Sequence, residues 1–461
     1  MSRTIAVVVL VAIVGVAGPL AYSALANERE FDRLMAEGDA AMAGDRPFQA
    51  IEAYSGAIAR QPDSVLAHYK RGTVYQSQNE LEDALRDFRS AADLDPASLR
   101  VIESVGDVNA ALGRHERAVE RYEAFVALDE RNARVQYKLG LARYRTGRVA
   151  QAAQPLQQAL TLDPSLTEAL YVLGLVQRDS NQMPAARKSL EEAAKRAPAG
   201  QTAAREALAE LFLQEGDYSR AINQLEALAA LDPSQPERLV AVGLTQARAG
   251  RDDAAVMTLG RALERFPDAS QVYAALGHVW LVQAQRRGDR VALNKALEAL
   301  THAASGTDVS SDTYAELARA SVLTGDRSGA ERALRQAVAK LPVPPEAYLQ
   351  LAELTGRDGR IQDARDALLK YATLVGDDKP LAAIATQIGD YSVRLGEPSL
   401  AMRWFDRAID EGGPNGALQV KLADAALRAG DAARAQQVIA DGLTSEPGNR
   451  TLQQLKQRLP R

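Results

Sequence analysis

The chain has 461 residues, a formal net charge of −5, 25% charged residues, 5% aromatic residues and no cysteine. The lack of cysteine excludes disulfides, thiolate catalysis, cysteine-ligated metal clusters and a lipid-modified cysteine leader, and the mild mixed-sign charge lacks the basic stripe that nucleic acid requires. Few aromatics beside abundant Ala and Leu suit closely packed helices, and no alternating run of Val, Ile and Thr marks a strand.

At the N-terminus no charged residue occurs from Ile5 to Ala26, and Ile5 to Ala17 is nearly continuous Val, Ile, Ala and Leu. Arg3 stands in front, while Glu28, Glu30 and Asp32 outweigh Arg29 and Arg33 behind. The positive-inside rule then keeps the start in the cytoplasm and sends the rest across a membrane. Two fates fit. Ala24, Leu25 and Ala26 form an A-x-A site after a core of about 14 apolar residues, as in a cleavable secretory signal. Counted to Ala26 the stretch is about 22 residues, enough for an uncleaved single-span anchor of residues 5–26. Either fate predicts a periplasmic or otherwise extracytoplasmic location.

Beyond the leader one design recurs. Val65 to Ser98 carries Gly72, Tyr75, Ala84, Phe88, Ala91 and Pro96, a spacing that predicts one helix over 65–78, a turn at Asn79 and a second helix over 81–94. Small residues let the two backbones approach, the aromatics fill the space beside that contact, and Pro96 stops the second helix. The register repeats on Ala50, Ala84, Ala118, Ala152, Ala186, Ala221, Ala255, Ala296, Ala330, Ala364, Ala401 and Ala435. Twelve residues before these stand Gly38, Gly72, Gly106, Gly140, Gly174, Ala209, Gly243, Ala318, Ala352, Gly389 and Ala423; only the Ala296 repeat breaks the offset. Turn glycines precede the alanine by five residues at Gly113, Gly147, Gly216, Gly250, Gly325, Gly359, Gly396 and Gly430, where a reversal needs positive φ.

These six places resemble the tetratricopeptide repeat family. The resemblance implies an all-α, right-handed superhelical solenoid of about 12 helix-turn-helix repeats with a capping helix. The predicted order is a leader (1–26), repeats 1–8 (31–304), repeats 9–12 (305–447) and the cap (448–461), where Leu452, Leu455 and Leu459 line one side of a helix. The first repeat starts near Phe31 with almost no linker. The eighth carries seven extra residues between Gly277 and Ala296, expected as a lengthened first helix and a longer loop through Arg286, Arg287, Gly288, Asp289 and Arg290. That insertion reads as a tolerated surface feature or a local recognition element.

No enzyme, cofactor or metal site is expected. His68, His115, His278 and His302 follow no ligand spacing, Val119 stands where an H-E-x-x-H zinc motif beginning at His115 needs its second histidine, and neither a phosphate-binding loop nor a nucleophile elbow occurs. What remains is a binding surface. The resemblance implies that the second, fifth, sixth, ninth and twelfth places of each first helix face a groove for extended or helical segments of partner proteins. Tyr69, Tyr137 and Tyr171 hold the fifth place, Lys70 and Lys138 the sixth, and Arg100 and Arg134 the second; Tyr with a neighbouring cation offers stacking area and charge. Thr73 and Ser104 replace the asparagines of the two-carboxylate clamp, so the resemblance does not extend to that clamp. The implied role is a protein-interaction scaffold in envelope, secretion or export assembly. A polysaccharide-binding or export-associated role is the alternative, since tyrosines at groove positions also suit sugar stacking, and a regulatory arm of an enzyme complex is a third reading. The expected partners are proteins, the membrane if the leader is retained, and a polysaccharide in the alternative; nucleic acid is not among them.

Overall fold

A computed structural model describes residues 2–198, 200–376 and 381–459, with side chains from residue 23 onward. The side chains of the apolar leader up to residue 22 thus lie outside the described residues, as does the choice between signal and anchor. Among the described residues there are 25 helices and no strand, and no helix is long and apolar enough to cross a membrane.

The chain forms two compact units, Met1–Gln224 and Leu225–Arg461. The first holds α1 (Ser2–Ala43), α2 (Pro47–Arg60), α3 (Val65–Ser77), α4 (Leu81–Leu94), α5 (Leu99–Ala111) and α6 (His115–Leu128). It continues through α7 (Ala133–Arg145), α8 (Val149–Leu162), α9 (Thr167–Asp179), α10 (Met183–Arg196), α11 (Ala203–Gln214) and the start of α12 (Tyr218–Leu231). The second continues with α13 (Pro236–Arg248), α14 (Asp252–Arg265), α15 (Ser270–Arg287), α16 (Arg290–Ala304), α17 (Ser311–Thr324) and α18 (Arg327–Ala339). It ends with α19 (Pro345–Arg357), α20 (Ile361–Val375), α21 (Ala382–Arg394), α22 (Pro398–Gly412), α23 (Gly416–Ala429), α24 (Ala432–Ser445) and α25 (Arg450–Gln457). Odd-numbered helices up to α23 are the first helices of repeats and even-numbered helices are the second. α25 is the cap.

The recurring small residues make the packing. All twelve register alanines are 0% exposed. A Cβ added to Gly72 would sit 2.8 Å from the Phe88 ring and 3.3 Å from the Ala84 carbonyl oxygen, which is why the first helix is bare there. Every expected turn glycine has positive φ, from 72° at Gly113 to 87° at Gly325, and where glycine is missing Asp45, Asn79 and Asn181 take the same conformation. Several first helices begin on a side-chain cap, with Ser64 accepting from the Ala67 N–H and Asn132 from the Val135 N–H.

Within each unit helices pack mainly on their chain neighbours, the mark of a solenoid. First helices also touch first helices: α7 with α9 and α9 with α11 in the first unit, and α13 with α15, α15 with α17 and α21 with α23 in the second. Within each unit the touching first helices present a common face. At the end of the chain Leu452 and Leu455 are buried and Leu459 is half-buried against the last repeat, so α25 is the one-sided cap.

The eighth repeat differs from the expected lengthened helix plus long loop. α15 has 18 residues where α13 has 13, so most of the insertion is helix. Arg286 and Arg287 are its last residues, Gly288 ends it in the left-handed conformation, and Arg290 already begins α16. No long loop is needed. The Asp289 side chain accepts from the Val291 and Ala292 N–H groups and restarts the next helix at once.

Candidate partner-binding face

The sequence-predicted residues fall on α3, α5, α7 and α9, four first helices of the first unit, and all but Arg134 have internal packing or polar partners. Tyr69 tilts against Phe88 with ring centroids 5.6 Å apart, and the Arg100 guanidinium of the next first helix lies 5.7 Å from its ring centroid. Tyr137 and Tyr171 are half-buried and pack beside the core around Leu156 and Leu173. Burial pushes both phenols up, Tyr137 additionally through the charge of Glu168. Arg134 is exposed on the turn of helix preceding Tyr137.

The two lysines are not free cations. Lys70 Nζ donates to Asp39 Oδ2 at 2.6 Å, and Tyr54 Oη donates to the same carboxylate at 2.7 Å. One repeat pair further on, Lys138 Nζ donates to Asp107 Oδ2 at 2.6 Å and Glu103 Oε1 at 2.7 Å, while Tyr122 Oη donates to Asp107 at 2.7 Å. Near the other end Lys421 Nζ meets Asp390 Oδ2 at 2.6 Å. The ninth place of one repeat thus neutralises the sixth place of the next. Burial works against the charge of Asp39, yet hydrogen bonds from Lys70 and Tyr54 hold its carboxyl below the usual range. Further along the same row Tyr144 Oη donates to Asp179 at 2.7 Å, and burial together with that bond pushes the phenol up to about 12. This part of the face is a pre-tied lattice of aromatic and charged groups. It offers contact area more than free charge.

The second unit holds an open cavity between its own first helices that sequence reasoning passed over. It measures about 410 Å³ and lies between α13, α15 and the start of α17. Its apolar floor comes from Val240, Leu244, Ala274, Ala275 and Val282, with Val309 closing one side. Ala274 and Ala275 stand at the fifth and sixth places, where α3 and α7 carry Tyr and Lys. Small side chains leave empty here what is filled there, and that substitution was the available signal. His278 Nδ1 donates to Glu316 across the cavity. That hydrogen bond raises the imidazole pKa against the opposing effects of burial and of Arg248 and Arg319. Among the described residues no cluster of three or more His, Asp or Glu is placed to hold a metal ion.

Residues 35–98, 106–167, 171–236 and 316–381 match a tetratricopeptide repeat family model, and residues 212–279 match a second model of the same description. No curated protein matches the chain. Solved structures similar to it include a tetratricopeptide repeat protein from Parabacteroides merdae, at 16% identity over 51% of this chain and 93% of that one with a TM-score of 0.42. Pseudomonas aeruginosa pilF aligns at 20% identity over 46% of this chain and 96% of its own, TM-score 0.39. A MamA protein aligns at 22% identity over 37% of this chain and 92% of its own, TM-score 0.36. The first family model alone spans more than half of the sequence, and with the buried alanine register and the turn geometry behind it, the chain belongs to the tetratricopeptide repeat family.

Proposed function

We propose that the chain is a non-catalytic scaffold that binds segments of other proteins along the faces of its first helices, outside the cytoplasm, in the assembly of an envelope or export complex. The observation that carries the binding role is the first helices themselves: within each unit first helices touch one another, those of the first unit carrying Tyr and Arg and those of the second lining an open cavity. A rigid aromatic and guanidinium surface gives contact area at low entropy cost. A protein segment suits this face better than a sugar, because Arg100 covers Tyr69 and the core packs Tyr137 and Tyr171, leaving little open ring for stacking.

The extracytoplasmic location rests on the charge-free stretch from Ile5 to Ala26 and its flanks. α1 runs from Ser2 to Ala43 without interruption, so the leader leads directly into the first helix of the first repeat. A retained leader would hold the repeats at the membrane surface.

An alkaline phosphatase fusion to the C-terminus, compared with the same fusion lacking residues 1–26, tests the location. Phosphatase activity that depends on the leader is expected, and inactivity of the full-length fusion would sink the extracytoplasmic reading. Cross-linking of intact cells followed by affinity capture should recover discrete protein partners that the double variant Tyr137→Ala, Tyr171→Ala loses.

A further inference from the structure

We infer that the cavity between α13, α15 and α17 is a specificity pocket for one aliphatic side chain of a partner segment flanked by a cation on one side and a carboxylate on the other. This deepens the scaffold reading and rests on it.

Three features of this chain make the pocket. Ala274 and Ala275 take the places that Tyr and Lys fill on α3 and α7, so the face is hollow where those repeats are full. The extension of α15 carries Arg286 past the point where a 13-residue first helix would end, and the residue lines the cavity. The connection from α16 to α17 runs over residues 305–310 and sets Asp308 and buried Val309 on the opposite side. Its close fit is visible at Gly306, where a Cβ would lie 2.9 Å from Ser270 Cβ at the start of α15.

The charges around the apolar floor are sorted. On the α17 side stand Asp308, Asp312 and Glu316. Glu316 is engaged by His278, whereas exposed Asp308 and Asp312 make no hydrogen bond or ion pair among the described residues. On the other side stand exposed Arg248, likewise without a hydrogen bond or ion pair among the described residues, and Arg286, whose guanidinium is 3.9 Å from Asp252. An apolar floor between an acidic and a basic rim matches an aliphatic residue with opposite charges on its two flanks. Like charges on both flanks would place one of them against its own sign. The volume of about 410 Å³ holds one large side chain and the adjoining backbone.

The test pans a random dodecapeptide phage library on the full chain and on two variants. Ala274→Tyr restores the residue found at this place on α3, α7 and α9, so the helix hairpin tolerates it, and a thermal melt checks that it does. Asp308→Lys with Asp312→Lys changes only exposed residues and reverses one rim. Selected peptides should share an aliphatic residue between Lys or Arg on one flank and Asp or Glu on the other. Synthetic copies should lose at least tenfold in affinity for Ala274→Tyr, and the reversed-rim variant should select an acidic residue where the parent selects a basic one. Peptides that bind Ala274→Tyr as well as the parent would overturn the pocket and leave the scaffold reading standing. If none of the three proteins enriches any peptide, the scaffold reading falls and the pocket with it. Concentration-dependent self-association by sedimentation that Ala274→Tyr abolishes would assign the cavity to a second copy and overturn the proposal.

Discussion

A single missing Cβ decides how close two helices come. Gly38, Gly72, Gly106 and Gly389 each face an aromatic ring, Tyr54, Phe88, Tyr122 and Phe405, whereas Ala318, Ala352 and Ala423 stand in repeats whose second helix offers Leu334, Leu368 or Ile439 at the corresponding place. Each aromatic partner stands opposite glycine, while an aliphatic one stands opposite either residue, since Cβ atoms on Gly140, Gly174 and Gly243 would meet Leu156, Leu190 and Leu259 at 2.5–2.6 Å. Gly72→Ala should therefore destabilise the chain by about 1–3 kcal/mol, because Phe88 is fully buried and cannot swing away. Adding Phe88→Leu should recover part of that loss, as urea unfolding of the single and double variants would show; a recovery of zero would mean that the ring is not what the new methyl meets. A second residue-scale device is polar. Arg71 donates to both oxygens of buried Asp87 at 2.7 Å and to Ser55 Oγ at 2.9 Å, and His68 Nε2 donates to the Pro62 carbonyl at 3.0 Å, so that α2, α3 and α4 are joined. Asp87→Ala would leave the guanidinium without its partner at a cost of about 3 kcal/mol, while Asp87→Leu combined with Arg71→Met should cost far less. Comparable chemical-denaturation midpoints for those two variants would contradict this.

At the scale of the element, repeat junctions carry titratable ties whose pH windows follow from their directions of shift. The hydrogen bond to Glu316 holds His278 above its usual value of 6.5. The contribution is therefore complete below 6.5 and fades as pH rises through the raised folded value. Glu316 faces the imidazole from α17 together with Arg319, and Arg248 faces it from α13. Parent and His278→Gln melting temperatures should differ most near pH 6 and converge on the alkaline side. Glu331 shows the opposite sign. Arg360 holds it at 2.6 and 2.7 Å, burial opposes the shift, and Arg335 adds to it, so its carboxyl lies at about 2 against an ordinary 4.5. That support is present above 4.5 and lost as pH falls toward 2, and because the pair is solvent-screened Glu331→Gln should cost only about 1 kcal/mol at pH 7 and almost nothing at pH 2. The helices and turns themselves were legible in the sequence, because a buried alanine about every 34 residues and, in every repeat but the eighth, a positive-φ residue five places before it leave one hairpin to build. The lysine pairings were harder to see. A column of Tyr and Lys looks like open groove until the diagonal from the ninth place of one repeat to the sixth of the next is drawn, and Asp39, Asp107 and Asp390 lie on that diagonal. The end of α15 was misjudged for a local reason. Arg286–Arg290 has the composition of a loop, but one left-handed glycine and one aspartate cap suffice to pass from helix to helix.

For a repeat array as a whole, stability is a sum over neighbours, since within a unit each helix hairpin is buried by the next and a terminal hairpin lacks a further repeat. At the far end α25 supplies that partner. Leu452 and Leu455 are buried against the core that includes Leu422, Val438 and Ile439, and Leu452 stands where a Cβ on Gly442 would meet it at 2.6 Å. The N–H groups that begin this helix are capped by Asn449, whose Oδ1 accepts from the Leu452 N–H at 3.2 Å. Two buried leucines stabilise the last repeat by on the order of 3–5 kcal/mol, and their removal would also expose an apolar face to solvent. Ending the chain after Pro447 should therefore accelerate amide exchange in α23 and α24 while leaving α3 and α4 in the first unit protected as before, because coupling fades over a few repeats. Hydrogen exchange read peptide by peptide decides the matter. A uniform loss of protection along all twelve repeats would show that the chain folds as one cooperative block, and unchanged exchange in α24 would show that the last repeat closes without its cap.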